Sequence, residues 1–340
     1  MKILVVKPTG TETFNTFFSQ RARTEIEKLG EVIYNPLGRE YTREELKEAL
    51  VDVDVAITGW GTTCYDEELL EKANKLKLIA HTGGSISGVV SDEVEKRGII
   101  TLSGNRLYAE SVAEGALTYM LMAQRRLPEI ISDMNETGWT NGYLHTKGLK
   151  DKTIGLIGFG MIAKNLARIL SVFDAKIKIY SGYLSAEEAA KYNAEVCSLD
   201  EIFETCDIIS VHSGLNEKNY HLIDKKYISK MKDNSLIINT ARGAVINEPD
   251  LVEELKTGRI RAVLDVYEKE PLPMDSGLRN LSNVILIPHK GGPTTDVREL
   301  VTIALCEDIK KFKEGRRDFT HEITPEYAKH MTNHKLVGKK

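Results

Sequence analysis

The chain has 340 residues, long for one hydrophobic core, so two domains are expected. Hydrophobic residues make up 41% and charged residues 28%, which excludes a disordered or membrane-embedded polypeptide. The net charge is −4 and no basic stripe stands out, so nucleic acid is not an expected partner.

Met1-Lys2-Ile3-Leu4-Val5-Val6 is too short for the apolar core of a secretion signal and runs into Lys7-Pro8, so it reads as a first strand. Further strands are predicted at 55–58 and 76–80, with helices at 69–73 and 92–97, making a small α/β unit. Ser111-Val112-Ala113-Glu114 has the capping-box pattern. It is predicted to open a long apolar helix through Leu127, ahead of Pro128, that carries the chain into the second domain. From Thr153 to about Pro288 strands and helices alternate. The six predicted strands there are near-continuous apolar runs, as in a parallel sheet covered on both faces. Residues 297–312 are predicted helical and to return to the first domain. The polar stretch after Tyr327, ending Lys339-Lys340, is expected to be a solvated tail. Cys64, Cys197, Cys206 and Cys306 are scattered, without zinc or disulfide spacing. They are expected as free thiols of a cytoplasmic protein; no metal and no membrane span are expected.

Lys152-Thr153-Ile154-Gly155-Leu156-Ile157 reads as a strand, and Gly158-Phe159-Gly160-Met161-Ile162-Ala163 follows at once. Ile162, Leu166, Ile169, Leu170 and Phe173 then fall on one predicted helical face. This is the strand, glycine turn and helix of a dinucleotide site. Gly158 permits the tight turn, Gly160 lets backbone approach a pyrophosphate, and Ala163 allows close helix packing. The helix N-terminus offers N–H groups and a positive dipole end to phosphate. The next strand, 176–180, should end on an acidic residue that bonds the ribose of NAD. Ser181-Gly182 stands there instead, and no nearby Arg meets a 2′-phosphate. NAD is the expected cofactor, with NADP open.

Three later strand ends carry chemistry. Arg242 follows Leu236-Ile237-Ile238-Asn239, Asp265 closes Ala262-Val263-Leu264 with Glu270 five residues on, and His289 follows Val284-Ile285-Leu286-Ile287-Pro288. Ligands of open parallel sheets sit outside the carboxyl ends of strands. A guanidinium, two carboxylates and an imidazole at one crevice can bind a small carboxylate and move a proton on it.

Taken together, these motifs resemble the D-isomer-specific 2-hydroxyacid dehydrogenase family over nearly the whole chain. The likeness includes Leu76-Lys77-Leu78-Ile79-Ala80 with Gly83-Gly84, Ser111-Val112-Ala113-Glu114, Gly158-Phe159-Gly160, and Asn239-Thr240-Ala241-Arg242-Gly243. It continues through Leu264-Asp265-Val266-Tyr267-Glu268-Lys269-Glu270-Pro271 and the segment from Asn283 to His289. The resemblance implies an α/β protein of two domains. A Rossmann-type doubly wound sheet is expected over 106–295, and a smaller discontinuous flavodoxin-like substrate domain over 1–105 and 296–330. It implies hydride transfer between NAD(P) and a small 2-oxo or D-2-hydroxy acid. Arg242 would hold the substrate carboxylate and carbonyl oxygen, His289 would give the proton, and Glu270 would orient His289. Met161, Ile162, Thr240 and Ala241 would join Gly158, Gly160 and Ser181 on the cofactor, and Asp265 would meet its carboxamide. Gly83 and Gly84 would bind the substrate carboxylate through backbone N–H groups. His81 beside them is expected to be structural.

Three departures are informative. Formate-oxidising relatives pair their His with Gln, where this chain has Glu270. Phosphoglycerate-type relatives usually place Arg in the first-domain loop, where this chain has Trp60, which favours a small or apolar substrate side chain. After His212, Ser213-Gly214 replaces the usual proline. Family members usually dimerise through the nucleotide domain, and the large apolar helix from Val112 to Leu127 needs cover, so a homodimer is expected. Some relatives instead sense dinucleotide and act as co-repressors, the alternative from another functional class.

Overall fold

The computed structural model describes residues 1–139, 145–324, 327–328 and 331–332. The chain divides into two compact units, one of residues 1–109 continued from Pro293 and one of residues 110–292. In the first, β1 (Lys2–Pro8), β2 (Glu31–Asn35), β3 (Val55–Thr58), β4 (Leu78–His81) and β5 (Ile100–Ser103) form a parallel sheet ordered β2-β1-β3-β4-β5. That is the flavodoxin-like order. Side chains alternate across it. Ile3 and Val5 enter a core with Phe14, Phe18 and Leu305, while Leu4 and Val6 enter another with Leu46, Leu50 and Leu69.

The second unit holds β6 (Thr153–Ile157), β7 (Lys176–Tyr180), β8 (Ala194–Val196), β9 (Ile208–Val211), β10 (Leu236–Asn239), β11 (Arg261–Leu264) and β12 (Val284–Leu286). Their order is β12-β11-β10-β9-β6-β7-β8, all parallel. The order reverses between β6 and β9, the switch point at which doubly wound sheets bind ligands. Ile237 packs on one face with Ile202 and Leu251; Leu236 and Ile238 pack on the other with Leu166 and Leu170. Each such aliphatic side chain contributes about 1.5–3 kcal/mol by leaving water.

Several predicted elements differ. Residues 69–73 form turns, in which Glu71 and Ala73 donate to the carbonyls of Glu68 and Leu70, three residues back rather than the four of an α-helix. The capping box at Ser111 caps nothing: helix Asn105–Gln124 begins six residues earlier, and the Ser103 hydroxyl accepts from Asn105 N–H at 3.2 Å. Residues 105–110 hold Arg, Leu, Ala and Glu, good helix formers with no breaker before Ser111. The helix stops at Gln124, Arg126 turns to φ 52°, and Leu127 opens helix Leu127–Thr137, with Pro128 in a first turn that needs no N–H from it. The second sheet has seven strands rather than six. The extra one, β8, is a three-residue edge strand too short and too polar to announce itself. Strands β2 and β5 were also not legible, and β4 starts at Leu78 rather than Leu76. In helix Met161–Leu170 the buried face is Ala163, Leu166, Ala167 and Leu170, rotated from the predicted one, and Phe173 lies in the following 3-10 turn. Most of the expected polar tail lies outside the described residues.

None of the four cysteines is joined in a disulfide. Among the described residues no group of His, Cys, Asp and Glu could hold a metal, and no helix is long and apolar enough to cross a membrane.

Candidate active site

Strand register sets out the second unit's site. Tyr180, Ile157, Val211, Asn239, Leu264 and Leu286 stand side by side across six strands. The residues that follow them, Ser181, Gly158, His212, Thr240, Asp265 and Ile287, therefore line one edge of the sheet.

At the switch point Gly158 has φ +89°, and a Cβ there would lie 2.9 Å from the Ser213 backbone. Glycine is needed both for the conformation and for the close approach. Gly160 differs: its φ is −82°, and a Cβ would meet nothing within 4 Å. The protein does not itself require glycine there, whereas a pyrophosphate lying on the turn does. Gly160 caps helix Met161–Leu170 without a side-chain cap, so the N–H groups of half-buried Met161 and Ile162 are available to an anion. Across the edge, the buried Thr240 hydroxyl has no hydrogen-bond partner among the described residues. These features fit a dinucleotide. Ser181 is half-buried just past β7.

His212 is buried, with Nε2 2.8 Å from the Ser210 hydroxyl, and burial pushes its pKa down to about 4. The loop after it is closed by Asn219, whose Nδ2 donates to the Ser213 hydroxyl at 2.8 Å and to the Gly214 carbonyl. An asparagine clamp shapes the segment where relatives commonly have proline.

Asn239, at the end of β10, folds the next turn. Its Oδ1 accepts from Ala241 N–H and its Nδ2 donates to the Arg242 carbonyl, both at 3.0 Å. Arg242 then heads a 3-10 turn, and its Nη1 donates to the Ala241 carbonyl at 2.6 Å. A Cβ on Gly243 would fall 1.9 Å from the Tyr267 carbonyl carbon. Only glycine lets the loop after β11 cross there, and that crossing brings Arg242 beside Glu270. Burial lowers the Arg242 pKa, opposed by the Glu270 charge.

Glu270 Oε2 pairs with His289 Nδ1 at 2.7 Å, and Oε1 accepts from Tyr267 N–H at 3.0 Å. Burial would raise the Glu270 pKa, but His289, the Tyr267 N–H and the Arg242 charge outweigh it, and the net shift is downward. His289 is 51% exposed at its side chain and has φ 52°, the left-handed region that non-glycine residues seldom occupy. Two donations hold that backbone: His289 N–H reaches the carbonyls of Asp265 at 2.9 Å and Ile287 at 3.0 Å.

Asp265 is buried and its oxygens accept from the N–H groups of Lys290 at 2.6 Å and Gly291 at 2.8 Å. Burial raises its pKa, with those two donors opposing. Its visible task is to fasten the loop that carries His289. Gly291 is part of the fastening, since a Cβ there would come 2.7 Å from Asp265 Oδ2. Tyr267, unremarked in the sequence, ties the ends of β11 and β12 by donating to Leu264 O or Ile287 O, each at 2.9 Å. Its aromatic hydroxyl among strand ends was the available signal.

In the first unit, Gly83 and Gly84 follow β4. A Cβ on Gly83 would strike the His81 ring at 2.3 Å, and one on Gly84 the Tyr108 ring at 2.9 Å. Packing alone thus requires both glycines. Buried His81 bonds the Thr58 hydroxyl through Nδ1 at 2.9 Å. Trp60 is 42% exposed and sits edge-on to Phe17 and Tyr108, at centroid distances of 5.2 and 6.2 Å, with the Arg298 guanidinium 5.4 Å over its ring. Tyr108 links it to the Gly84 turn. Phe17, Tyr108, Arg298 and Lys7 come from separate elements, and no local pattern connects them to Trp60.

Known proteins resemble this chain in sequence and in fold. Residues 117–291 match the family model described as D-isomer specific 2-hydroxyacid dehydrogenase, NAD binding domain. The chain is 36% identical over 276 residues to a hydroxypyruvate reductase from Thermotoga maritima, covering 80% of this chain and 88% of that protein. It is 35% identical over 294 residues to a D-3-phosphoglycerate dehydrogenase from Methanocaldococcus jannaschii, covering 85% of this chain but spanning only 55% of that protein. A crystal structure of a glyoxylate reductase from Paecilomyes thermophila superposes with a TM-score of 0.79 at 25% identity, over 96% of this chain and 98% of that one. The chain belongs to the D-isomer specific 2-hydroxyacid dehydrogenase family and carries its NAD-binding domain, and solved structures of the same fold hold NAD+ or NADPH.

Proposed function

We propose that this chain interconverts a small 2-oxo acid and its D-2-hydroxy acid. The observation that carries the reading is the His289–Glu270 pair at 2.7 Å, with Arg242 close enough to lower the Glu270 pKa. Bound nicotinamide supplies or accepts the hydride. In reduction, the carbonyl oxygen gains electron density as hydride reaches the carbon, and it then needs a proton. His289 Nδ1 is held by Glu270, so the proton leaves from Nε2. Glu270 fixes the ring plane and balances the charge of the protonated imidazole. Arg242 matches a carboxylate with a planar fork of donors and orients the carbonyl. Asp265 holds the 289–291 loop in its strained path, so the proton donor is pre-placed. Gly83, Gly84 and Trp60 belong to the same proposal as substrate contacts, and Gly158, Gly160, Met161, Ile162, Ser181, Thr240, Ala241 and Asp265 as cofactor contacts.

Oxidation of NADH and NADPH, measured against glyoxylate, hydroxypyruvate, pyruvate and branched-chain oxo acids, tests the reading. Turnover with one of them is expected. Measurable cofactor binding with no turnover on the whole panel would overturn it.

A homodimer is part of the proposal. Helix Leu127–Thr137 has no buried residue, and Leu127, Ile131 and Met134 fall on one stripe, the last two 58% and 52% exposed. Light scattering of Ile131→Asp/Met134→Asp should give half the wild-type mass; an unchanged mass would remove this helix from the interface.

A further inference from the structure

Lys7 is the penultimate residue of β1, in a place where a lysine is costly. It is 9% exposed, and its stem lies beneath Gly59, whose Cβ would come 3.0 Å from Lys7 Cγ and Cδ. The buried ammonium has two described partners, the carbonyl of Trp60 and the carboxylate of Glu40. Above it, residues 59–62 make a tight turn. Gly59 N–H donates to the Thr62 hydroxyl at 3.2 Å, Thr62 N–H returns to Gly59 O at 3.2 Å, and Gly61 has φ +79°. Lys7 thus grips the backbone of Trp60, while Phe17, Tyr108 and Arg298 bound its ring.

We propose that Lys7 is a positioning residue: pinned by Glu40, it holds the Trp60 carbonyl, fixes the indole as a rigid wall, and so makes the enzyme discriminate 2-oxo acids by side-chain size. The inference rests on the proposed 2-oxo acid activity. A wall on an exposed loop excludes bulk only if its backbone cannot give, and a buried charge-assisted bond to the Trp60 carbonyl supplies that stiffness. The turn's own hydrogen bonds engage Gly59 and Thr62, and among the described residues it is Lys7 that bonds the Trp60 carbonyl.

Lys7→Met keeps the stem and removes the donor, and Glu40→Gln keeps a polar partner and removes the charge. Melting temperatures establish that each variant folds. In Lys7→Met, the ratio of kcat/KM for the best small oxo acid to that for a branched-chain oxo acid should shrink about tenfold, through KM more than kcat. NADH affinity should stay within about twofold of wild type, because no change is made at the cofactor edge. Glu40→Gln should shift the ratio the same way by less, and Lys7→Arg should restore part of it. The structural half is read separately. The chain has two tryptophans, so a Trp139→Phe background isolates Trp60, and acrylamide should quench it more readily once Lys7 is Met. Unchanged quenching would overturn the strut. Increased quenching with an unchanged selectivity ratio would overturn the specificity role. A wild-type protein inert on every 2-oxo acid would overturn the proposed function and the specificity role with it, and the quenching comparison would still decide whether Lys7 holds Trp60.

Discussion

His289 and His321 each pair Nδ1 with a carboxylate, at 2.7 Å to Glu270 and 3.0 Å to Asp308. One pair lies in each unit, and the surroundings differ completely. Asp308 is fully buried and also takes the N–H groups of Thr320 and His321 and the Lys311 ammonium. Burial alone would raise its pKa, but these donors together hold it far below the ordinary carboxylate range. They clamp the segment after helix Thr295–Lys313, which then bonds to β5 through Ile323 N–H to Thr101 O. Glu270 and His289 keep 35% and 51% of their side chains in solvent, and His289 sits on a strained backbone. One bond type thus serves two ends. With every acceptor satisfied and no access it is a fastener; at a strand end with the ring half in solvent it can transfer a proton.

Substituting each pair breaks the comparison in opposite directions. His289→Ala should lower kcat by about 10²–10⁴-fold while cofactor affinity and melting temperature hold. Near-wild-type turnover would make this pair a fastener too. Asp308→Asn should cost about 3–5 kcal/mol of stability, because it leaves a buried site with unmatched partners, and should spare turnover per folded molecule. The pH dependence has a definite sign. The folded pKa of Asp308 lies below the ordinary 3.8, so its stabilisation is complete above that value and is lost as pH falls through the folded pKa. Urea unfolding of Asp308→Asn should therefore show a shallower loss of stability on acidification below about pH 4 than wild type. Parallel curves would assign the acid sensitivity elsewhere. Glu270→Gln, which keeps the shape and loses the charge, should lower kcat about 10–100-fold and leave stability nearly unchanged. A stability loss as large as that of Asp308→Asn would mean the two pairs do the same work.

The comparison also marks what the sequence could reveal. His289 and Glu270 were legible because each lies within a few residues of an apolar run, and a parallel sheet sends all such ends to one edge. His321 and Asp308 are thirteen residues apart across a helix end and a loop, and nothing local ties them together. The same limit hid Tyr267 and the Lys7–Trp60 grip, which depend on contacts between strand ends and distant loops. Asp265 was visible as a strand-end carboxylate, but its bonds to the 290–291 amides follow from the path of the His289 loop. Ser111 failed in the reverse way: a four-residue pattern fits a helix start, yet the helix formers before it extend the helix upstream.

The smallest expected effect concerns the other end of the same sheet edge. Ser181 shares its register row with Gly158 and Asp265, but it lies two strands from His289's side of the switch point and carries no charge. An acidic side chain there would accept from both ribose hydroxyls of NAD and repel the 2′-phosphate of NADP. Serine can bond either group, so the wild type should separate the two cofactors only modestly. Ser181→Asp should raise the NADPH-to-NADH ratio of dissociation constants by about tenfold, near 1.4 kcal/mol, with kcat on NADH retained. The charge is added at a half-buried strand end away from Arg242, Glu270 and His289, so any change confined to oxo-acid KM would contradict this placement. An unchanged cofactor ratio would mean that β7 does not end at the ribose, and the fit of Gly158, Gly160 and Thr240 to the dinucleotide would then need a different adenosine pocket.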